Sequence, residues 1–443
     1  MAPKIALIGL DCAAPHLVFE TFREEMPNLT KLAEKGCFCP LQTVVPPITV
    51  PAWMCMMTGK DPGELGIYGF RNRKDYSYKG VRFAHGGLRK EPALWDYMAS
   101  RGKQSLLMGI PMTYPPRPVT GNLVTGFLTP GRNVPFTWPE SLRSEVLEIS
   151  PAYPFDAENF RTHEKQRLLE EIHLLTREQF RVAKELSLRK KWDFFALVQI
   201  GPDRMHHAFW AYHDASHPKH DPQSPFVNVL REYYRQLDVY LGELFATFPK
   251  DTRILVVSDH GVQKMHGGIA LNDWLIREGY LALKEMPSTP TKIEKLIEEN
   301  QVDWKNTLAW AWGGYSGKIY LNVRGREPQG IVPPRKVAFV RDRLAEKLKA
   351  LPGEDGLPLQ TEIYAPEAIY RKARNVAPDL FVHFDSLAWR SLGSVGNDSL
   401  WVHENDTGPD DANHAMEGIF ISSGKTRITS ILDIYGYICS LVE

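Results

Sequence analysis

Acidic and imidazole side chains fall at four places in this sequence that could carry chemistry. Asp11 closes the apolar run 5–10. Asp203 follows the apolar run 194–200 by three residues and opens Asp203-Arg204-Met205-His206-His207. Asp259-His260-Gly261 comes directly after the run 254–258, and His414 lies in a Gly/Asp-rich loop before the run 418–421. Taken singly these are ordinary residues, since an Asp after a strand caps a helix or shapes a turn. Together they form a donor set. Three carboxylates and three imidazoles suit a borderline divalent metal such as Zn²⁺. One metal takes about three or four such ligands, so the set can serve two metals with positions open for a nucleophile and a substrate. Paired metals clamp the attacking and leaving oxygens of an in-line displacement.

A second signal is Val44-Val45-Pro46-Pro47-Ile48-Thr49-Val50-Pro51-Ala52-Trp53, followed by Met57-Thr58-Gly59. Prolines on both sides fix the backbone around Thr49. Such a turn presents one hydroxyl, suited to a nucleophile held on a metal. Thr49 also reads as the cap of a helix starting near Pro51. The two roles are compatible, because a helix N-terminus is itself an anion site.

These groups need a scaffold that gathers distant segments. Strand-length apolar runs alternate with helical stretches: 5–10 before 25–35, 94–101 before 105–108, 164–191 before 194–200, and 227–247 before 254–258. The alternation predicts an α/β fold on a mostly parallel sheet. Phe194-Phe195-Ala196-Leu197-Val198 and Ile254-Leu255-Val256-Val257 are apolar throughout, as strands buried on both faces are. In such sheets ligands bind beyond the carboxyl ends of strands, where the acids fall. Donors from Asp11 to His414 must then meet, so one catalytic domain over 1–443 is expected, with extra length in insertions. Residues 111–154 and 284–330 read as surface insertions, the second as a possible cap.

Composition narrows the partners. Lys plus Arg and Asp plus Glu number 53 each, so no cationic excess exists to neutralise a polyanion, and a nucleic-acid polymer is excluded as a generic partner. A hydrophobic fraction of 43% supports a large core and excludes disorder. No stretch is apolar for long enough to span a bilayer, so no membrane is expected. Met1-Ala2-Pro3-Lys4 and the short run after it do not read as a secretory signal. Five cysteines, odd in number and scattered, argue against a disulfide framework and for a reducing, cytoplasmic setting.

With these residues in hand, the chain resembles the alkaline phosphatase superfamily, and within it the type I phosphodiesterase/nucleotide pyrophosphatase branch. The resemblance runs over Gly9-Leu10-Asp11, Thr49-Val50-Pro51 with Thr58-Gly59, Asp203 to His207, Ser258-Asp259-His260-Gly261 and Asn413-His414. It implies an alkaline-phosphatase-like three-layer sandwich with helices on both faces of the sheet and a small cap. It also implies two divalent metal ions, usually zinc, with Mn or another ion as alternatives. One would be held by Asp203, His207 and His414, the other by Asp11, Asp259, His260 and the Thr49 oxygen. The Asp-x-x-x-His spacing selects His207 over His206. The implied reaction is hydrolysis of a small-molecule phosphate ester through a covalent phospho-threonine at Thr49.

The sequence departs from the branch in one place. Its nucleotide pyrophosphatases carry Thr-Phe-Pro-Asn-His, where this chain has Ala52 and Trp53 in the last two positions. A donor to the non-bridging phosphoryl oxygen is then missing. Arg71, Asn72 and His266 are candidate replacements, and Trp53 a candidate substrate contact. The sulfatase segment Cys-x-Pro-Ser-Arg is absent. A phosphomonoesterase or phosphomutase-like enzyme of the same superfamily is the alternative, and a non-catalytic metal-stabilised binding protein a third.

Overall fold

In the computed structural model, which describes residues 3–443, the apolar runs become the strands of one central sheet. Met1 and Ala2, part of the N-terminal reading above, lie outside the described residues. The strands are β1 (Ile5–Leu10), β2 (Cys37–Gln42), β3 (Ser105–Met108), β4 (Gly121–Val124), β5 (Thr137–Trp138), β6 (Phe194–Gln199), β7 (Arg253–Val257) and β8 (Glu417–Ser422). Their order is β2-β8-β7-β1-β6-β3-β4-β5. The central strands β7, β1, β6, β3 and β4 are mutually parallel. On one edge β8 runs antiparallel to β7 and pairs in turn antiparallel with β2; antiparallel β5 closes the other edge. Every residue of β1 and β6 is buried, which is why these runs carry no polar alternation.

The helices of this unit are α1 (Pro27–Lys35), α2 (Thr49–Thr58), α3 (Leu94–Ser100), α4 (Leu142–Ile149), α5 (Lys165–Arg189), α6 (Gly201–His213), α7 (Val229–Phe245) and α8 (Asp433–Ser440). They pack in two groups, α1, α4, α5, α6 and α7 together, and α2, α3 and α8 together. This is the predicted layered α/β arrangement. Among the described residues no helix is long and apolar enough to cross a membrane.

Register aligns the functional ends. Gly9 of β1 lies opposite Val198 of β6 and Val257 of β7, so the three strands finish level. Asp11, the start of α6 and Asp259 therefore emerge side by side at the carboxyl edge.

Two expectations are corrected. Residues 111–154 are no surface decoration: they supply β4, β5 and α4, with Leu123, Val124 and Phe136 buried. Their prolines interrupt elements without expelling them from the sheet. His414 lies in a short strand, Ala412–Ala415, not in a loop.

Where the sequence reading expected one domain, the chain divides into two compact units. The first holds the residues up to Asp61, Ala84–Val262 and His414–Glu443; the second holds Pro62–Phe83 and Gln263–Asn413. The second unit has its own antiparallel sheet, ordered Ala309–Trp312, Gly317–Leu321, Leu380–His383 and Glu362–Tyr364. Its core gathers Trp274, Trp304, Trp310, Trp312 and Tyr320 with aliphatic neighbours. Residues 284–330 lie within this unit and contribute the first two strands of that sheet.

Candidate metal centre and active site

All seven residues read as metal ligands or nucleophile fall in the first unit, and their reactive atoms converge. Asp11 continues the β1 ladder, its N–H donating to Gln199 O at 3.0 Å, before the chain turns at Cys12 with φ +65°. Helix α6 opens on Gly201-Pro202 and carries Asp203 in its first turn, a favourable place for a carboxylate. His207 is one turn further on the same face. Helix α2 starts at Thr49, with Ile48 as its N-cap and no side-chain cap. The Thr49 hydroxyl is thus not a cap. It lies 3.5 Å from Asp11 Oδ1 and 3.3 Å from His260 Nε2.

The remaining distances link the set. His260 Nε2 is 3.2 Å from Asp259 Oδ2 and 3.7 Å from Asp11 Oδ1. Asp203 Oδ1 is 3.3 Å from His207 Nε2 and 3.7 Å from His414 Nε2, and those two nitrogens are 3.2 Å apart. The His260 and His414 rings stack with centroids 3.8 Å apart. Donor atoms of Asp203, His207, His414 and Cys12 all lie within 4.8 Å of one another, as do those of Asp11, Asp203 and His260. All of these residues are buried.

One pattern runs through five of the six acids and imidazoles: each is gripped from outside by one atom and presents another inward. Asp11 Oδ2 accepts from Trp53 Nε1–H at 2.7 Å, and Asp203 Oδ2 from Arg204 at 2.5 Å. Asp259 Oδ1 accepts from the Cys12 N–H at 3.3 Å. His260 Nδ1 faces the Gly261 carbonyl at 3.1 Å, and His414 Nδ1 the Pro47 carbonyl at 2.5 Å. A carbonyl can only accept, so both Nδ1 atoms carry the proton and both Nε2 atoms present lone pairs.

The inward atoms are therefore acceptors facing acceptors. Asp203 Oδ1 and Asp259 Oδ2 are buried with no hydrogen-bond partner. Burial, then the charge of Asp203, pushes the Asp11 carboxyl well above its usual range; burial, then Asp11, does the same to Asp259. Burial also opposes ionisation of Asp203, but His207, Arg204 and His414 outweigh it and hold its pKa well below the usual range. Burial lowers His260 to about 4 and, with His260 and His207 adding to it, holds His414 well below its ordinary value. Buried orphan acceptors of this kind are costly unless a cation stands among them. The donor chemistry, all carboxylate oxygen and imidazole nitrogen with one thiol near, fits a divalent metal.

His206 turns away, its Nε2 at 3.0 Å from the Tyr234 hydroxyl and its ring against Tyr234 and Trp210. The substrate candidates are divided between the two units. Trp53 is fully buried, so its ring is packing and not a platform for a substrate. Arg71, Asn72 and His266 belong to the second unit. Arg71 pairs with Glu294 at 3.3 Å. Asn72 ties its own loop, accepting from Tyr68 N–H at 2.7 Å and donating to Gly69 O at 2.9 Å. His266 lies beside the Trp389 ring, 5.7 Å between centroids.

Sequence reasoning missed the gripping groups. Arg204 is the clearest: it holds Asp203, pairs with both Asp156 oxygens at 2.7 and 2.8 Å, and stacks on Phe160 at 4.2 Å. Its position directly after Asp203 was the available signal. Cys12, next to Asp11, gave none.

A mostly parallel sheet of this order, with acids and imidazoles at its carboxyl edge, defines an α/β enzyme of the alkaline-phosphatase-like class. The sequence profile of the type I phosphodiesterase/nucleotide pyrophosphatase family matches residues 5–413, and the chain belongs to that family. It is accordingly a phosphoester hydrolase of a metal-dependent family. Solved structures agree on the fold. Phosphonoacetate hydrolase from Sinorhizobium meliloti 1021, in complex with phosphonoformate, superposes with a TM-score of 0.62 at 14% identity, over 100% of this chain and 97% of that one. Murine ectonucleotide pyrophosphatase/phosphodiesterase 5 gives 0.53 at 13% identity, over 99% and 95%. An inactive form of the murine protein in complex with AMP gives 0.54 at 13% identity, over 99% and 95%. No curated protein sequence matches the chain.

Proposed function

We propose that the protein hydrolyses small phosphate esters, diesters in particular, with Thr49 as nucleophile and two divalent ions, zinc foremost. Asp203, His207 and His414 would hold one ion, and Asp11, Asp259 and His260 the other. The observation that carries this reading is the pattern of outward grip and inward lone pair across five of these six side chains. Bound ions would supply charge neutralisation at the attacking and leaving oxygens and a lowered pKa for a bound water.

The chain's residues do the positioning. Helix α2 sets Thr49 Oγ between Asp11 and His260, where its proton can pass to an acceptor. Thr49 Oγ bonds to phosphorus as the ester bond opposite it breaks, and the leaving oxygen takes the electron pair. Water then attacks the phospho-threonine and frees Thr49. Phosphoryl transfer depends chiefly on alignment and charge, so no separate acid/base relay is required. The AMP complex of one fold relative, and the phosphonoformate complex of another, support a small substrate bearing a phosphoryl or phosphonyl group.

Ala52 and Trp53, in place of Asn and His, favour monoester hydrolysis as the second reading, since a phosphoryl-oxygen donor is gone. A cytoplasmic setting for the five free cysteines completes the proposal. The test is elemental analysis of the native protein combined with bis-p-nitrophenyl phosphate and p-nitrophenyl phosphate as paired substrates. Bound divalent ion with faster diester cleavage is expected. Faster monoester cleavage selects the second reading, and a native protein without divalent metal defeats both.

A further inference from the structure

We infer that Trp53 is a positioning residue that locks the Asp11 carboxylate to the helix carrying Thr49, through a slot left open by Gly9. The inference rests on Asp11 being a metal ligand, as proposed above. Thr49 and Trp53 are one turn apart on α2, so one helix face presents both. Gly9 and Asp11 are two residues apart on β1 and its continuation, so they share a strand face. The two faces mesh. A Cβ at Gly9 would stand 2.2 Å from Trp53 Cη2 and 2.9 Å from Cζ2 and Cζ3. The six-membered ring therefore lies directly over the glycine backbone. The ring's other end delivers its N–H to Asp11 Oδ2 at 2.7 Å, with Trp53 0% exposed.

The consequence follows from the geometry of a carboxylate. With Oδ2 fixed, Oδ1 has one direction, toward Thr49 at 3.5 Å and His260 Nε2 at 3.7 Å. A hydrogen bond to a charged acceptor in a dry site is strong enough to hold that rotamer. An indole donates and carries no charge, so it orients Asp11 without neutralising it. The full negative charge remains for a cation. Arg204 does the opposite at Asp203, where the grip itself is cationic. Trp53 thus acts through Asp11 and touches no substrate.

The test is zinc affinity of the metal-stripped full chain, measured by competition with a chelator, alongside thermal unfolding of the same metal-free samples. Variants are Trp53→Phe and a site-specific benzothienylalanine at 53, which keeps the bicyclic shape and removes only the N–H. Asp11→Ala is the reference. Both Trp53 replacements are expected to weaken zinc binding by about 10- to 100-fold, the usual effect of removing a partner that orients a ligand. A purely structural role would lower the melting temperature of the benzothienylalanine protein or leave it native, with zinc affinity unchanged in either case. Unchanged affinity there, with Asp11→Ala impaired, overturns the positioning role alone. Unchanged affinity in Asp11→Ala overturns the ligand assignment and this inference with it.

Discussion

Thr49→Ala separates the nucleophile from the scaffold, because the structure makes the two costs very different. The hydroxyl's contacts are long, 3.5 Å to Asp11 and 3.3 Å to His260. A neutral hydrogen bond contributes about 1 kcal/mol to stability, and bonds of that length contribute less. Alanine is also the better helix former by several tenths of a kcal/mol, and position 49 is the first residue of α2. The two effects oppose, so unfolding free energy should change by less than about 1 kcal/mol. The six carboxylate and imidazole donors are untouched, so divalent metal should still bind. Turnover has no such compensation. Loss of a nucleophile in a preorganised site lowers kcat by about 10³-fold or more, at least about 4 kcal/mol in the barrier. The assay is kcat on a p-nitrophenyl ester together with metal content and urea unfolding of the same preparation. Thr49→Ser, which keeps the oxygen, should retain measurable turnover and form a covalent phosphoryl adduct in acid-quenched samples. Thr49→Ala with near-native kcat would refute the covalent reading. Loss of metal or of fold in step with activity would refute the claim that Thr49 acts as a nucleophile and not as a structural group.

Two further predictions follow from charges. Arg204→Met keeps the apolar packing on Phe160 and Phe127 but strips Asp203 of its cation. Removing one partner of a buried pair costs about 3–5 kcal/mol, and urea unfolding of the metal-free protein should read a loss of that order. A loss below 1 kcal/mol would mean that Asp203 is satisfied some other way. Lys318, in the second unit's sheet, has its pKa pushed down to about 8 by burial and then by Arg71. Between pH 8 and its ordinary value of 10.5 the unfolded chain holds this proton and the folded chain does not, so stability rises with pH across that window. Lys318→Met should therefore stabilise the protein at pH 7, by at most about 3 kcal/mol and less for the screening of a half-buried head group. The advantage should vanish by pH 10.5, and an advantage that persists there would contradict its electrostatic origin.

The gathering of acids and imidazoles was legible in the sequence for a physical reason. Asp11, Asp203 and Asp259 follow strands that are apolar throughout, and parallel sheets present their carboxyl ends to ligands, so period and position together point to one edge. What grips those ligands was not legible. Trp53 reads as an aromatic near a nucleophile, hence as a platform for a substrate; only the contact with Gly9 reveals that the ring is buried with its N–H on Asp11. Likewise Pro47 and Gly261 contribute backbone carbonyls to His414 and His260, and a carbonyl leaves no trace in residue type. His414 was expected in a loop because Asp410, Asp411 and Asn413 surround it. Those polar neighbours are all buried, and Asn413 lies in the short strand itself, where hydrogen bonding overrides the turn preference of its side chain. The prolines of residues 111–154 misled in the same way, since β4 and β5 are short enough to fit between them.

The zero net charge of the chain conceals a local imbalance that argues for cations more strongly than any single contact. Three aspartates of the centre are buried, and the one guanidinium among them, Arg204, is shared with Asp156. The histidines do not make up the difference, because burial holds His260 and His414 in their neutral forms. Arg204 and His207 both face Asp203, so protein groups leave Asp11 and Asp259 without a cation of their own, to be neutralised by protonation or by an ion. Protonation would let an inward oxygen donate to an imidazole lone pair, but it would supply no positive charge for a phosphate. Two divalent ions would satisfy all of these acceptors at once and leave charge over for a phosphate. The outer grips are consistent with that division of labour. Two of the three carboxylates are held by uncharged donors, Trp53 and the Cys12 backbone, which fix direction and preserve the charge a metal needs.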